Sequence, residues 1–178
     1  MLEAVPLPLS EWANFYVITG SAAAGLTGLM FVVIALGRET MAAEAEGGVR
    51  AFGTPTVMHF CSVLLIAAIL SIPRHTSTSL ALCVGATGVA GLALSVWVAV
   101  QARRQVHYSP LVSDWTWHVA MPLAGYAALA VGAAMLPRSL PVALDTVGAA
   151  SLLLLFVGIH NAWDSAVWIA TRDKRQSR

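Results

Sequence analysis

The sequence predicts an all-α fold: a single integral membrane domain, residues 1–178, built as a bundle of five transmembrane helices with the N-terminus outside and the C-terminus cytoplasmic. Three observations carry this. First, 58% of the 178 residues are hydrophobic and only 11% are charged, whereas soluble domains hold about 25% charged residues. The mean hydropathy is +0.75, and so few charges cannot cover a water-facing surface. Second, long apolar runs recur five times, each closed by arginine, proline or a polar loop. Third, eight of the ten Lys and Arg residues fall in segments that five spans would put on one side of the bilayer, Arg38, Arg50, Arg103, Arg104, Arg172, Lys174, Arg175 and Arg178, leaving Arg74 and Arg138 on the other. The positive-inside rule makes the first side cytoplasmic, and the chain is expected to be a multi-pass membrane protein.

Met1 to Glu11 has no Lys or Arg and so lacks the basic start of a cleaved signal peptide; this segment is expected to be retained. The first helix, about 12–37, opens with Trp12, Phe15 and Tyr16, which suit the water–lipid interface. Gly20, Ala24 and Gly28 then recur every fourth residue, a small-residue face on which another helix can approach closely. Arg38 ends the run, Glu39 to Glu46 can continue as helix, and Gly47-Gly48 makes a flexible connection.

The second helix, about 55–72, starts at Thr54-Pro55, a good N-cap followed by proline at the first helical position. It stops at Pro73-Arg74 and is close to the shortest length that spans. The third, about 79–102, carries a stripe of Ala81, Gly85, Gly88, Gly91, Ser95, Ala99 and Ala102 with a mean repeat near ~3.5 residues, that of a left-handed packing seam. It is expected to be the central packing element. The fourth, about 115–136, has Asp114 as a candidate cap, Pro122 as a candidate kink, and Ala120, Ala124, Ala128 and Gly132 at four-residue spacing. The fifth, about 142–171, begins after Pro141 and runs into a basic tail. Cys61 and Cys83 sit in apolar runs at depths too different for a disulfide and read as buried thiols.

The fifth helix carries the sharpest polar signal. Residues on a helix are about 100° apart, so His160, Asn161, Asp164 and Trp168 share one sector of roughly 100°, expected to face protein rather than lipid. His59, His118 and Gln101 fall in the same, cytoplasmic half of the membrane, where the other half holds only small hydroxyls and glycines. A carboxylate in lipid costs on the order of 3 kcal/mol, so Asp164 must be paired, hydrated or protonated. His160 at i−4 is a local partner, and Arg38, Arg103 or Arg104 lie at neighbouring helix ends. Two readings stand side by side: a proton- or ion-handling site, with His160 as a titrating gate, or a structural latch. The polar intramembrane cluster is therefore His160, Asn161, Asp164, His59 and His118; the helix-packing residues are Gly20, Ala24, Gly28, Gly85, Gly88 and Ser95.

No metal site is expected, because no CxxC or HExxH motif accompanies the histidines. No cofactor, catalytic residue or enzymatic activity is expected either, since there is no phosphate loop, nucleophile–base pair or dinucleotide fingerprint. The net charge of +1 gives no field for nucleic acid.

Two segments, Trp12-x-x-Phe15-Tyr16-Val17 with Gly20-Ser-Ala-Ala-Ala-Gly25-Leu-x-Gly28-Leu-x-Phe31-Val32, and Gly158-Ile-His160-Asn161-Ala162-Trp163-Asp164, resemble a group of small bacterial membrane proteins of unknown role, some labelled "modulator of FtsH protease". The resemblance covers the first and last helices only. It implies a regulatory membrane partner and supplies no catalytic residues. Taken together, the expected partners are the lipid bilayer, further copies of the chain and another membrane protein. The function expected first is a homo-oligomeric, channel-like or ion- and proton-handling role through the cytoplasmic-half cluster. The alternative is a non-transporting regulator or scaffold bound to another membrane complex such as a protease.

Overall fold

A computed structural model describes residues 9–36, 54–104 and 115–176, apart from the side chains of residues 102, 104, 168 and 170–176. It is all-α over these residues. A 3₁₀ turn, Leu9–Trp12, leads into α1, Ala13–Leu36. Then follow α2, Thr54–Ser71, α3, Ser77–Arg104, α4, Thr116–Met135, and α5, Leu140–Gln176. All five are long and apolar enough to cross a membrane. Their limits match the sequence expectation to within three residues except at the end of α5, which runs on to Gln176. Asp114 and the Glu39–Gly48 segment lie outside the described residues.

Two tight connections explain the regular up-and-down path. After α2 the chain turns at Pro73-Arg74, and Arg74 adopts φ 63°, a left-handed conformation that few non-glycine residues accept. A reciprocal capping box then starts α3: Thr76 Oγ1 accepts from Ser79 N–H and Ser79 Oγ accepts from Thr76 N–H, both at 3.1 Å. This is why α3 begins two residues earlier than its apolar run, with its first N–H groups satisfied locally. After α4, Arg138 N–H and Ser139 N–H both return to Met135 O, and the Arg138 guanidinium donates to Ala134 O, covering carbonyls that the helix end leaves open.

Small residues decide how closely the helices pack. A Cβ on Gly88 would lie 2.8 Å from the backbone N of Ala130, and one on Gly91 would overlap the Tyr126 ring. Gly85 is looser, 3.4 Å from the Ala133 methyl, and buried Ser95 bonds to Gly91 O at 2.9 Å. The α3 stripe is thus a seam against α4, as its spacing implies. It is not the centre of the bundle. That place belongs to α5, whose span is 56% buried against 28% for α3. The α5 face that meets its neighbours takes in Leu144, Val147, Ser151, Leu154, Val157 and Asn161. The sequence misleads here because α5 buries large aliphatic residues, which look the same whether they face lipid or protein.

The α1 stripe is used only in part within the chain. Gly20 packs on α2, where a Cβ would lie 2.8 Å from the Ala67 methyl, but Ala24 is exposed and Gly28 has nothing within 4 Å. Four-residue spacing drifts around a helix of 3.6 residues per turn, and the face in contact runs instead through Tyr16, Thr19, Gly20, Ala23 and Met30. On α4, Ala120 and Ala124 likewise face outward, while Gly125, Tyr126, Leu129, Gly132 and Ala133 are buried. Cys83 is exposed on the bundle surface and Cys61 half-buried, and both are free thiols.

Below, the basic end of the bundle is the one where Thr54, Arg103 and Trp115 lie; the far end holds Trp12, Arg74 and Arg138. Gly91→Ala is expected to destabilise the folded protein by about 2 kcal/mol through overpacking on Tyr126. Gly28→Ala is expected to leave it unchanged or raise stability by up to about 1 kcal/mol. Thermal unfolding of both variants in mild detergent checks the contrast.

Candidate functional site

The polar residues of the basic half form two groups. The first lies between α2, α3 and α4. Thr54-Pro55 starts α2 so that His59 and Ser62, three residues apart, fall on one face. That face turns toward Tyr126 of α4. His59 Nδ1 lies 2.9 Å from the Tyr126 hydroxyl, and Ser62 Oγ lies 3.1 Å from it on the other side. His59 is 2% exposed and Tyr126 0%. Gly91 on α3 makes room for the tyrosine ring, which no side chain at that position would allow.

Counting protons orders the group. Ser62 Oγ–H donates to Met58 O at 2.8 Å, so Ser62 Oγ accepts from Tyr126 O–H. Tyr126 oxygen then accepts from His59 Nδ1–H. In this arrangement every proton is used, and the imidazole carries its hydrogen on Nδ1 with Nε2 left as acceptor. The result is a directed chain, His59 to Tyr126 to Ser62 to the Met58 carbonyl, inside the apolar core. His118 of α4, half-buried, lies within electrostatic reach of His59.

The second group joins α4 to α5. Asn161, 1% exposed, donates from Nδ2 to the Trp117 carbonyl at 3.4 Å, and its Oδ1 has no protein partner. The Trp117 ring stacks on His160 with centroids 4.0 Å apart and planes 26° apart. His160 Nε2 lies 3.3 Å from Asp164 Oδ2, with side chains 33% and 52% exposed. The five cluster residues are therefore drawn to one half of the bundle, but not into one contact set. His59 and Asn161 are interior, while His160 and Asp164 sit on the flank of the α5 contact face. Asp164 does not point into the protein as its helical sector suggests: the buried arc of α5 is centred beyond Asn161, which leaves Asp164 at the rim. Arg103 does not reach it either, and instead lies 5.5 Å over the Trp115 ring, a cation–π placement. Arg38 and the Arg104 side chain lie outside the described residues, as does the Trp168 side chain. Gln101 is exposed.

Tyr126 and Ser62 are absent from the sequence-derived cluster, yet they form its innermost part. The available signal was a tyrosine far from either end of an apolar run, where interfacial anchoring does not explain it. In the far half, the buried hydroxyls of Thr19, Thr87 and Ser151 bond to carbonyls of their own helices. Among the described residues no three His, Cys, Asp or Glu side chains come together in a way that could hold a metal ion.

Comparison with family models, with curated proteins and with solved structures gives no match.

Tyr126→Phe leaves the His59 Nδ1–H buried without an acceptor and is expected to cost about 1–3 kcal/mol. Asp164→Asn, at the exposed rim, is expected to cost less than about 1 kcal/mol. Unfolding midpoints in detergent measure both, and the expected ranking is the reverse of what intramembrane carboxylates usually suggest.

Proposed function

We propose that this is a multi-pass protein of the bacterial inner membrane, N-terminus outside and C-terminus cytoplasmic, that takes up protons at a site open only to the cytoplasmic side. The observation that supports this best is the asymmetry of the bundle. Half-exposed His160 and Asp164 lie at the basic end, and deeper in the same half is the chain of His59, Tyr126 and Ser62. Beyond Tyr126 the core holds fully buried Val84, Leu129, Leu154 and Ile66, and its buried hydroxyls, Thr19, Thr87 and Ser151, are turned back onto their own helices. Histidine changes charge near physiological pH. The directed hydrogen-bond chain deeper in fixes the His59 tautomer and ends on the Met58 carbonyl, which offers a proton no onward acceptor. The far half offers no continuation, so the protomer is not a pore in this reading. The positive-inside rule supports the orientation, because the cluster's end is also the end flanked by most of the Lys and Arg.

Working as a homo-oligomer and acting on another membrane complex, such as a protease, both fit the same architecture. Supporting them are the span of α1, only 22% buried, with Gly25 and Gly28 in open space, and the resemblance of α1 and α5 segments to proteins labelled as protease modulators. In this reading the proton state of the cluster is what the partner senses.

The test is proton bookkeeping in proteoliposomes. A pH drop on the cytoplasmic side should give saturable uptake that Asp164→Asn together with His160→Gln reduces by about half or more. An imposed membrane potential should drive no sustained proton current above that of protein-free vesicles. Sustained current abolished by Tyr126→Phe would instead establish conduction. No uptake at all would remove the proton-handling reading.

A further inference from the structure

We propose that Asn161 serves as the backbone donor that Pro122 cannot supply to α4, and so sets the direction in which Trp117 and His118 enter the site. The start of α4, Thr116–Ala120, is wound as a π turn, and Met121 N–H closes it on the carbonyl of Thr116, five residues back. In that register the Trp117 carbonyl points to the N–H of residue 122. That residue is Pro122, which has none. The group that meets the orphaned carbonyl is Asn161 Nδ2 from α5, at 3.4 Å. Only the NH₂ end of the amide can face an acceptor, so the carbonyl fixes the amide's orientation and turns Oδ1 away.

The alternative winding shows what the contact holds in place. As ordinary α-helix, Met121 N–H would close on Trp117 O, and Pro122 would orphan the carbonyl of His118 instead. The two windings differ by one residue, so they turn the side chains before Met121 by about 100° relative to the rest of the helix. In the π winding the Trp117 ring lies flat on His160 and His118 is close enough to His59 to act on it electrostatically. The α winding would swing both away and strip Asn161, 1% exposed, of its remaining hydrogen bond. Asn161 is thus a positioning residue, whether or not protons move through the site.

The experiment is a double-mutant cycle on the full chain in lipid nanodiscs, with variants N161L, P122A and N161L/P122A. One readout is the unfolding midpoint. The other is the upfield NMR shift that the stacked indole imposes on the His160 ring protons. N161L is expected to lower the midpoint by about 3 °C and to abolish the His160 shift. In the P122A background a backbone N–H is available, so the same change should cost less than half as much. Should N161L fail to fold alone, a folded double variant is the same result in stronger form. Equal costs in the two backgrounds, an N161L variant that keeps the His160 shift, or a double variant that fails to fold along with N161L overturns the proposal.

Discussion

A tyrosine hydroxyl in the middle of an apolar bundle has to find its partners inside the protein. Tyr126 is 0% exposed, and a buried hydroxyl left unmet costs a few kcal/mol. Tyr126 meets this constraint with His59 and Ser62, and much of the surrounding structure follows from it. The ring reaches α2 only because α3 carries glycine at position 91. The α3–α4 seam must be close, which Gly88 against Ala130 permits. The α2 register is held from its other side by Phe60 lying on Gly158 of α5. Glycine costs helix stability in water; here its return is the approach that lets three polar side chains satisfy one another in the absence of solvent.

The spans were legible in the sequence because they depend on a single quantity, apolar length, and every connection is punctuated by proline, arginine or a polar run. The α3 seam was legible too, since its small residues keep a mean repeat of ~3.5 along one face of the helix. Elsewhere the same signal fails. In α1 the glycine spacing selects Gly20, Ala24 and Gly28, but Gly20 alone of these packs within the chain. Small residues can face a neighbour, lipid or another chain, and spacing does not distinguish these. The central position of α5 was hidden for a related reason: leucine and valine are equally at home against lipid and against protein.

The site was half legible. Histidines and Asp164 stand out by charge, and their gathering in one half of the bundle follows from counting residues from the ends of the spans. Tyr126 and Ser62 do not stand out, because a hydroxyl inside a membrane helix usually bonds to its own backbone, as Thr19, Thr87 and Ser151 do. The π turn before Pro122 was legible only as a candidate kink. Its register depends on which carbonyl finds a donor on another helix, information that no local pattern carries. Asp164 stood out most in the sequence and turned out to be peripheral: the carboxylate is at the rim, half exposed and paired with His160.

The polar side chains reach into the bundle from the basic end in two groups, and neither runs on past Tyr126 and Ser62. Water-edited solid-state NMR of the protein in lipid bilayers tests this most directly, by mapping which residues exchange magnetisation with water. Transfer is expected at Asp164, His160 and Asn161, weaker transfer at His59, and none at Leu129, Leu154 or Val147. Water contact running on through those three residues, or no water contact at His160 and Asn161, would contradict it.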